Sequence, residues 1–296
     1  MDMKYQKSLT FIIIIIFLLA LFAASMGLFY KTDGIPFAYT NHRGEQVTIN
    51  GSGLYFYDTV SSAAQMQGND LITLMVGLPL LAVSAWLAFR RSLRGKLLLT
   101  GTMGFFLYTY LSMATLASYN SLFLVYVVLF TLSLYGFILC MLSFNLSDLP
   151  GHFSARLPYG WMSGLMIFTG GFLLLAWLGR IVPPLLNHLP PALENTTTLV
   201  IQAMDLSLIV PLSILAGILL IRRSAWGYLL ASVFVMKGIT MGLAVSAMGI
   251  NMALKGVPDS LGIIVPFLLI TGLNLVSAVI LLRGIDRPAP ANPALQ

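Results

Sequence analysis

Long apolar runs recur along the chain, and they restrict its fold more than any other feature. Several runs reach the roughly 20 residues that an α-helix needs to cross a hydrocarbon core about 30 Å thick. Only 9% of the 296 residues are charged and the mean hydropathy is +0.90, whereas soluble domains usually have about 25% charged residues. A soluble protein could not hide this much apolar surface, because its own surface must still face water. The sequence therefore predicts an all-α integral membrane protein whose surroundings are a lipid bilayer.

The apolar runs divide into eight predicted membrane helices. These span residues 8–30, 71–89, 97–116, 122–144, 159–181, 198–221, 226–249 and 261–282. The first run also resembles the core of a signal peptide, because Ala23, Ala24 and Ser25 follow it as a cleavage site would require. The apolar residues continue to Tyr30, which favours an uncleaved membrane helix. Both alternatives place the next segment outside.

One long polar segment, residues 31–70, is predicted to form an external loop. Two short stretches, 37–40 and 46–49, flank a turn-like segment and predict a small β-hairpin. The loop is predicted to be either an external lid or ligand-contacting element, or a cap that packs on the outer helix ends, and the cap is favoured. Asn69 and Asp70 are in position to cap the next helix.

Proline-rich segments mark two further breaks in the apolar pattern. A second external loop is predicted around Pro183, Pro184, Pro190 and Pro191. Residues 286–296, rich in proline and alanine, predict a disordered cytoplasmic tail.

The distribution of basic residues predicts how the helices are oriented, because cytoplasmic loops carry more lysine and arginine than external ones. With the N-terminus inside, the cytoplasmic side has eleven such residues, namely Lys4, Lys7, Arg90, Arg91, Arg94, Lys96, Arg156, Arg222, Arg223, Arg283 and Arg287. The outer side has four, namely Lys31, Arg43, Arg180 and Lys255. Both termini are therefore predicted to be cytoplasmic. The net charge of +6 is a topology signal rather than a nucleic-acid-binding surface.

The chain contains an internal repeat that emerges when the sequence is shifted by 132 positions. The shift gives nine identities over residues 79–98, whereas apolar composition alone would give about two or three. The matched pairs include Pro79 with Pro211, Arg90 with Arg222, Arg91 with Arg223, and Gly95 with Gly227. We therefore predict two parallel four-helix repeats, residues 1–150 and 151–285, as found in some transporter classes. Accessory membrane proteins can share this architecture, so it does not determine function.

Two charged residues lie well inside predicted helices, Asp205 in the sixth and Lys237 in the seventh. A charge near the centre of a membrane helix costs roughly 2.5–3.5 kcal/mol and usually faces a bundle interior or a cavity. One explanation is a structural polar contact that locks the helices together. The other is an ion-coupled site with Asp205 as proton carrier or cation ligand and Lys237 as its counter-charge. Side chains lean toward the N-terminus of their helix, and these two helices run oppositely, which disfavours direct pairing.

Further polar and small residues surround the two charges in sequence. The polar candidates, at helical spacing or similar depth, are Gln202, Thr240 and Asn274. Pro211 is expected to free the carbonyl of Ser207, two residues from Asp205. A stripe of small residues on the seventh helix indicates close helix packing; its members are Gly238, Gly242 and Ser246.

Recognisable catalytic motifs are absent from the sequence, so enzyme activity is not favoured. Cys140 is the only cysteine, which excludes an intrachain disulfide. The three histidines lie in separate loops without metal-ligand spacing, and no cofactor is predicted. A cluster is predicted toward the outer ends of the third and fourth helices, formed by Tyr108, Tyr110, Tyr119, Asn120 and Tyr126. An aromatic belt at the outer interface explains most of them.

Three stretches carry a resemblance to other proteins: residues 53–58, residues 90–95, and the segment from Asp205 through Arg222 and Trp226 to Lys237. They resemble a group of uncharacterised bacterial polytopic membrane proteins with about eight helices. The resemblance extends over most of the chain. It implies a bacterial cytoplasmic membrane and no particular activity or substrate.

Two functional hypotheses follow from these observations. The first is a small-solute or ion transporter, coupled to protons, with its polar site in the second repeat around Asp205 and Lys237. The second is a non-transporting membrane subunit, sensor or scaffold that binds a protein partner through residues 31–70. A membrane-embedded enzyme ranks third.

Overall fold

Helices fill most of the chain, because a backbone in lipid must satisfy its own hydrogen bonds. The structure, a computed structural model, describes residues 3–258 and 260–285, and it is 73% helical. Within these residues eight helices are long and apolar enough to cross a membrane. They are α1 (Gln6–Phe29), α2 (Val60–Phe89), α3 (Leu93–Leu116), α4 (Phe123–Leu142), α5 (Tyr159–Leu186), α6 (Val200–Ile221), α7 (Ala225–Leu254) and α8 (Ser260–Arg283). The predicted multi-pass helical class is confirmed. The predicted tail, 286–296, lies outside the described residues.

The connections between helices gather at two ends of the bundle. We call one the hairpin end, formed by residues 30–59, 117–122, 187–199 and 255–258. We call the other the arginine end, formed by residues 90–92, 143–158 and 222–224.

Helices α3 and α7 form the centre of the bundle. They pack against each other, and α7 also packs closely on α2. Gly68 permits the α2–α7 contact, because a Cβ added there would lie 2.7 Å from the Cα of Met248. On the periphery, α1 packs along α4, whereas α5 packs mainly on α6 and barely touches α8.

A wide, π-helical turn interrupts both α2 and α6. The turns are Thr73–Gly77 and Asp205–Ile209, and a proline follows each of them at the second position. Proline has no N–H, and its ring clashes with the carbonyl four residues earlier, so the regular pattern cannot continue through it. The helix widens instead. In α6 the N–H of Val210 bonds to the carbonyl of Asp205. The effect of Pro211 is therefore to change the hydrogen-bond register of the helix, and not only to leave the Ser207 carbonyl without a partner.

The turns at the arginine end also match each other locally. Arg91 and Arg223 both have a left-handed backbone, with φ of 64° and 53°. The next residue in each turn, Ser92 or Ser224, caps the following helix by accepting a hydrogen bond from a glycine N–H. Each of these features lies 132 residues from its counterpart.

The start of α2 differs from the sequence prediction. The helix begins at Val60, eleven residues before the predicted Leu71, and the Thr59 side chain caps it by accepting from the N–H of Ser62 at 3.1 Å. Asn69 and Asp70 are buried inside the helix and do not cap it. The polar, small residues of this first part resemble a loop in composition, but they pack against α7. The loop before α2 is therefore shorter than the predicted segment 31–70.

The end of α5 also differs from the prediction. The helix continues through Pro183 and Pro184 to Leu186, so the connection begins at residue 187. Asn187 terminates it, with its side-chain amide donating to the carbonyl of Pro183 at 2.9 Å.

The predicted β-hairpin is present. Strands β1 (Phe37–Thr40) and β2 (Gln46–Ile49) pair antiparallel. The turn between them reaches the connection before α6, where Arg43 donates to the carbonyl oxygens of Glu194 at 2.6 Å and Thr196 at 3.0 Å. The hairpin therefore ties together the two long connections at this end of the bundle.

Replacing Arg43 by glutamine is expected to loosen this tie. The change removes charged hydrogen bonds to two backbone carbonyls, which should lower the free energy of unfolding by about 1–2 kcal/mol. Limited proteolysis should cut within residues 187–199 faster than in the parent protein. Lys31→Gln makes the same charge change at the same end and should leave the cleavage rate unchanged. Equal rates for the two variants would contradict the contact.

Candidate functional site

Asp205 lies at the first position of the π-helical turn in α6, and only 8% of its surface is exposed. Its two carboxylate oxygens have different donors. Oδ1 accepts from the hydroxyl of Tyr108 on α3 at 2.6 Å, and Oδ2 accepts from the indole N–H of Trp177 on α5 at 2.9 Å. Three helices therefore meet at one carboxylate, and both of these donors are neutral.

Lys237 and Asp205 both contact the side chain of Tyr108. The ammonium nitrogen of Lys237 lies 4.3 Å from the centroid of the Tyr108 ring, a distance at which a cation is attracted to the face of an aromatic ring. The two charged side chains, both in the described part of the chain, form no direct ion pair. Tyr108 thus contacts both charges, one through its hydroxyl and the other through its ring.

Gly104 on α3 faces the side chain of Lys237, since a Cβ added there would lie 3.9 Å from Cδ of the lysine, in ordinary van der Waals contact. Lys237 is half-buried, in the middle of α7.

The three polar neighbours predicted from the sequence occupy different places. Gln202 is buried one turn before Asp205. Thr240 is buried on α7 and donates to the backbone carbonyl of Lys237 at 2.9 Å. Asn274 on α8 donates to the carbonyl of Ile270 at 2.9 Å, while its own side-chain oxygen is buried without a partner among the described residues.

The small residues predicted to mark close packing lie between α7 and α8. A Cβ added at Gly238 would lie 2.8 Å from Cγ of Asn274, and one added at Gly242 would lie 2.0 Å from the hydroxyl oxygen of Thr271. Ser246 donates to the carbonyl of Gly242 at 2.8 Å. Gly238 and Gly242 allow α8 to pack closely against α7, with Asn274 against Gly238.

The five arginines singled out from the sequence lie at the arginine end, far along the helices from Asp205. The guanidinium of Arg90 lies over the ring of Trp86 at 4.1 Å, and that of Arg223 over Tyr159 at 4.7 Å. Arg94 donates to the carbonyl of Ile285 at 2.9 Å. Arg91 and Arg222 lie in the same two turns.

Two aromatic partners of the site were not singled out by sequence reasoning. An aromatic belt was expected to account for Tyr108, but its hydroxyl is bonded to Asp205 inside the bundle. No sequence feature indicated that Trp177 belongs to the site, because tryptophan is common near membrane interfaces. A search for aromatic donors at the depth of Asp205 would have included both.

A second buried acid, Asp70, was also missed. Its Oδ2 accepts from the hydroxyl of Tyr55 at 2.6 Å, and it is 5% exposed. Gly27 on α1 faces it so closely that an added Cβ would lie 1.9 Å from that oxygen. This carboxylate is enclosed by packed side chains. Asp70 would have been predicted as a buried acid if the second helix had been predicted to begin before residue 70.

Comparison of the chain with protein-family models, curated proteins and solved structures finds no match. Among residues 3–258 and 260–285 no group of three or more His, Cys, Asp or Glu side chains is placed to hold a metal ion. Function is therefore inferred from the chemistry of the site.

Proposed function

We propose that the protein is a carrier of the bacterial cytoplasmic membrane that moves a small solute or ion together with protons, and that Asp205 carries the proton. One observation supports this above all others: the oxygens of Asp205, deep in an apolar bundle, accept from the neutral donors Tyr108 and Trp177. A carboxylate held in this way can take up a proton without breaking an ion pair. Charged residues inside membrane helices commonly mark such relays.

Lys237 acts as the counter-charge of Asp205 at a distance. Because Lys237 contacts the ring of Tyr108 and not the carboxylate, it attracts the charge of Asp205 without forming a salt bridge. A displacement of Lys237 or Tyr108 by a bound solute would weaken that attraction and favour uptake of a proton. Such a solute would bind at these two charges, where Gln202 lies one helical turn from Asp205 and Thr240 one turn from Lys237.

The proposal includes two parallel four-helix repeats, residues 1–150 and 151–285, with cytoplasmic termini. The matching π-helical turns and arginine turns, each 132 residues apart, support the repeat. The excess of lysine and arginine on one side supports the orientation. π-Helical turns are frequent at functional sites. In the proposal each repeat has one such turn, at which its helix can change conformation.

The repeats differ in the residues that carry charge. Thr73 stands in the first repeat where Asp205 stands in the second, and Phe105 stands where Lys237 stands. The charged site is therefore not required for the shared fold, which favours a role in function.

A non-transporting subunit, sensor or scaffold is the second candidate. The observation that favours it is the exposure of Ile35, Phe37 and Tyr39 on the hairpin, the first of them 77% exposed. A protein partner would bind this apolar surface.

Thiol labelling beside Asp205 tests the proposal. In a Cys140→Ala background, Gln202→Cys places a thiol one helical turn from Asp205. We expect a small, charged, membrane-impermeant methanethiosulfonate to label it in both right-side-out and inverted vesicles, because a carrier opens its site to each side in turn. Leu212→Cys, at an exposed apolar position of α6, is the matched control and should stay unlabelled.

The pattern of labelling separates the two candidates. Labelling from one side only would contradict a carrier. Absence of labelling from both sides, in a folded protein, would favour a structural polar contact and the hairpin as the functional surface.

A further inference from the structure

A cavity of about 180 Å³ lies at the hairpin end, outside the site around Asp205. Three segments form its walls: the start of α2 with Asp58 and Ser62, the end of α3 with Thr115 to Ser118, and the connection from Glu194 to Val200. Hydroxyl, amide and carboxylate groups make up its polar lining. None of the residues that line it is basic.

Asp58 is the central acid of this cavity and is only 3% exposed. Its Oδ1 accepts from the N–H of Ser118 at 3.0 Å and from the hydroxyl of Ser62 at 3.4 Å. Its Oδ2 is buried and has no hydrogen-bond partner in the part of the chain that the structure describes. Buried polar atoms are normally satisfied, so an unsatisfied carboxylate oxygen points to a ligand that donates to it.

The charge balance around the cavity also favours a positively charged ligand. Glu194 is the second acid of the lining, and it accepts from the hydroxyl of Thr59. The nearby Arg43 does not line the cavity: it is paired with Glu45 at 3.1 Å and donates to the backbone carbonyls of Glu194 and Thr196. Burial raises the pKa of Asp58 from its ordinary value, because the carboxylate loses water without gaining a cation.

We infer that this cavity binds a small organic cation through its ammonium group, with the carboxylate of Asp58 as the principal acceptor. A metal ion is disfavoured, because only two acids line the cavity and no metal-binding group of three ligands is found among the described residues. An ammonium group needs only one carboxylate and a few neutral acceptors. Leu116 and Val200 supply an apolar wall for the alkyl part.

The cavity shares two helices with the site around Asp205. Thr115 lies seven residues after Tyr108, on the same face of α3 and about 10 Å along it. Val200 lies five residues before Asp205 on α6. A cation bound at Asp58 would thus lie toward the hairpin end from Asp205. Binding there does not depend on the proposed transport activity.

Isothermal titration calorimetry on the full chain in lipid nanodiscs tests the inference, with n-propylammonium chloride as the probe. We expect saturable binding that becomes about tenfold weaker or more in Asp58→Asn, because the charge is lost while the shape is kept. Asp148→Asn removes an exposed acid at the arginine end and should bind like the parent protein. 1-Propanol, which has a similar shape and no charge, should not bind.

A second variant keeps Asp58 and blocks the cavity. Ser62→Lys places a tethered ammonium group beside Asp58, so it should abolish propylammonium binding even if Asp58→Asn fails to fold. Absence of propylammonium binding to the parent protein, or equal binding to the parent and Asp58→Asn, would overturn the inference. Asp58-dependent binding of sodium or calcium chloride, without binding of propylammonium, would overturn the ammonium assignment in favour of an inorganic cation.

Discussion

Replacing Asp205 by asparagine is expected to abolish proton uptake into vesicles that contain the reconstituted protein. Asparagine keeps the size of the side chain and retains one oxygen that can accept from Tyr108 or Trp177. It carries no titratable proton, so the carrier step is lost while the fold is kept. Proton uptake is followed by a pH-sensitive dye inside the vesicles, after addition of a small-molecule extract that supplies solutes.

Two further variants sharpen this test. Tyr108→Phe keeps the ring beside Lys237 but removes the hydroxyl that donates to Asp205. Its rate should fall between those of the parent protein and Asp205→Asn. Asp148→Asn removes an exposed acid far from the site and should leave the rate unchanged. Uptake by Asp205→Asn at the parent rate would exclude Asp205 as the proton carrier.

Infrared spectroscopy tests whether Asp205 exchanges a proton with the buffer, and it does not require a known solute. The difference spectrum between acidic and alkaline buffer should contain a carboxyl band that is absent in Asp205→Asn. An unchanged spectrum would mean that Asp205 does not exchange its proton with the buffer, and the site would then be a structural contact.

The sequence points to Asp205 and Lys237 because charged residues are conspicuous in apolar helices. Their lack of direct pairing is also expected from the opposite directions of α6 and α7. The group that contacts both of them, Tyr108, could not be chosen from sequence. Whether an aromatic side chain faces lipid or the bundle interior depends on how its helix is rotated, and helix rotation is set by packing against neighbours.

Asp70 escaped prediction for a different physical reason. The residues before it, from Val60 onward, are small and polar and therefore resemble a loop. They form a helix because they pack against α7, where Asn251 donates to the carbonyl of Ala64 at 2.7 Å. Tertiary contacts of this kind override local composition, and a single sequence does not reveal them.

The proposed repeat relates Asp70 to Asp205. The shift of 132 positions places Asp70 opposite Gln202 and Thr73 opposite Asp205, so each acid lies within one helical turn of the first residue of a π-helical turn. Tyr55 and Gly27 enclose Asp70, whereas Lys237, near Asp205, retains accessible surface. This difference favours the site around Asp205 as the functional one.

Replacing Gly68 by valine is expected to prevent stable folding. The Cβ of any residue at this position would lie 2.7–2.8 Å from backbone atoms of Met248 and Ala247 on α7. Backbone atoms of a packed helix cannot move aside as the end of a side chain can, so α2 and α7 would have to separate. Overpacking usually costs about 1–3 kcal/mol, and a clash with backbone should reach or exceed the upper end of that range. Size-exclusion chromatography and thermal unfolding in detergent measure the loss.

Gly171→Ala is the matched control for Gly68→Ala, because it makes the same change on α5 where no atom lies within 4 Å. Alanine is favoured over glycine in a helix by about 1 kcal/mol, so the control should be neutral or slightly stabilising while Gly68→Ala is destabilising. Opposite signs for one chemical change would show that α2 and α7 meet at Gly68. Equal shifts in Tm would contradict that contact. The contact at Gly68 joins α2, which begins at the Asp58 cavity, to α7, which carries Lys237. Loss of this contact should therefore also weaken binding of propylammonium.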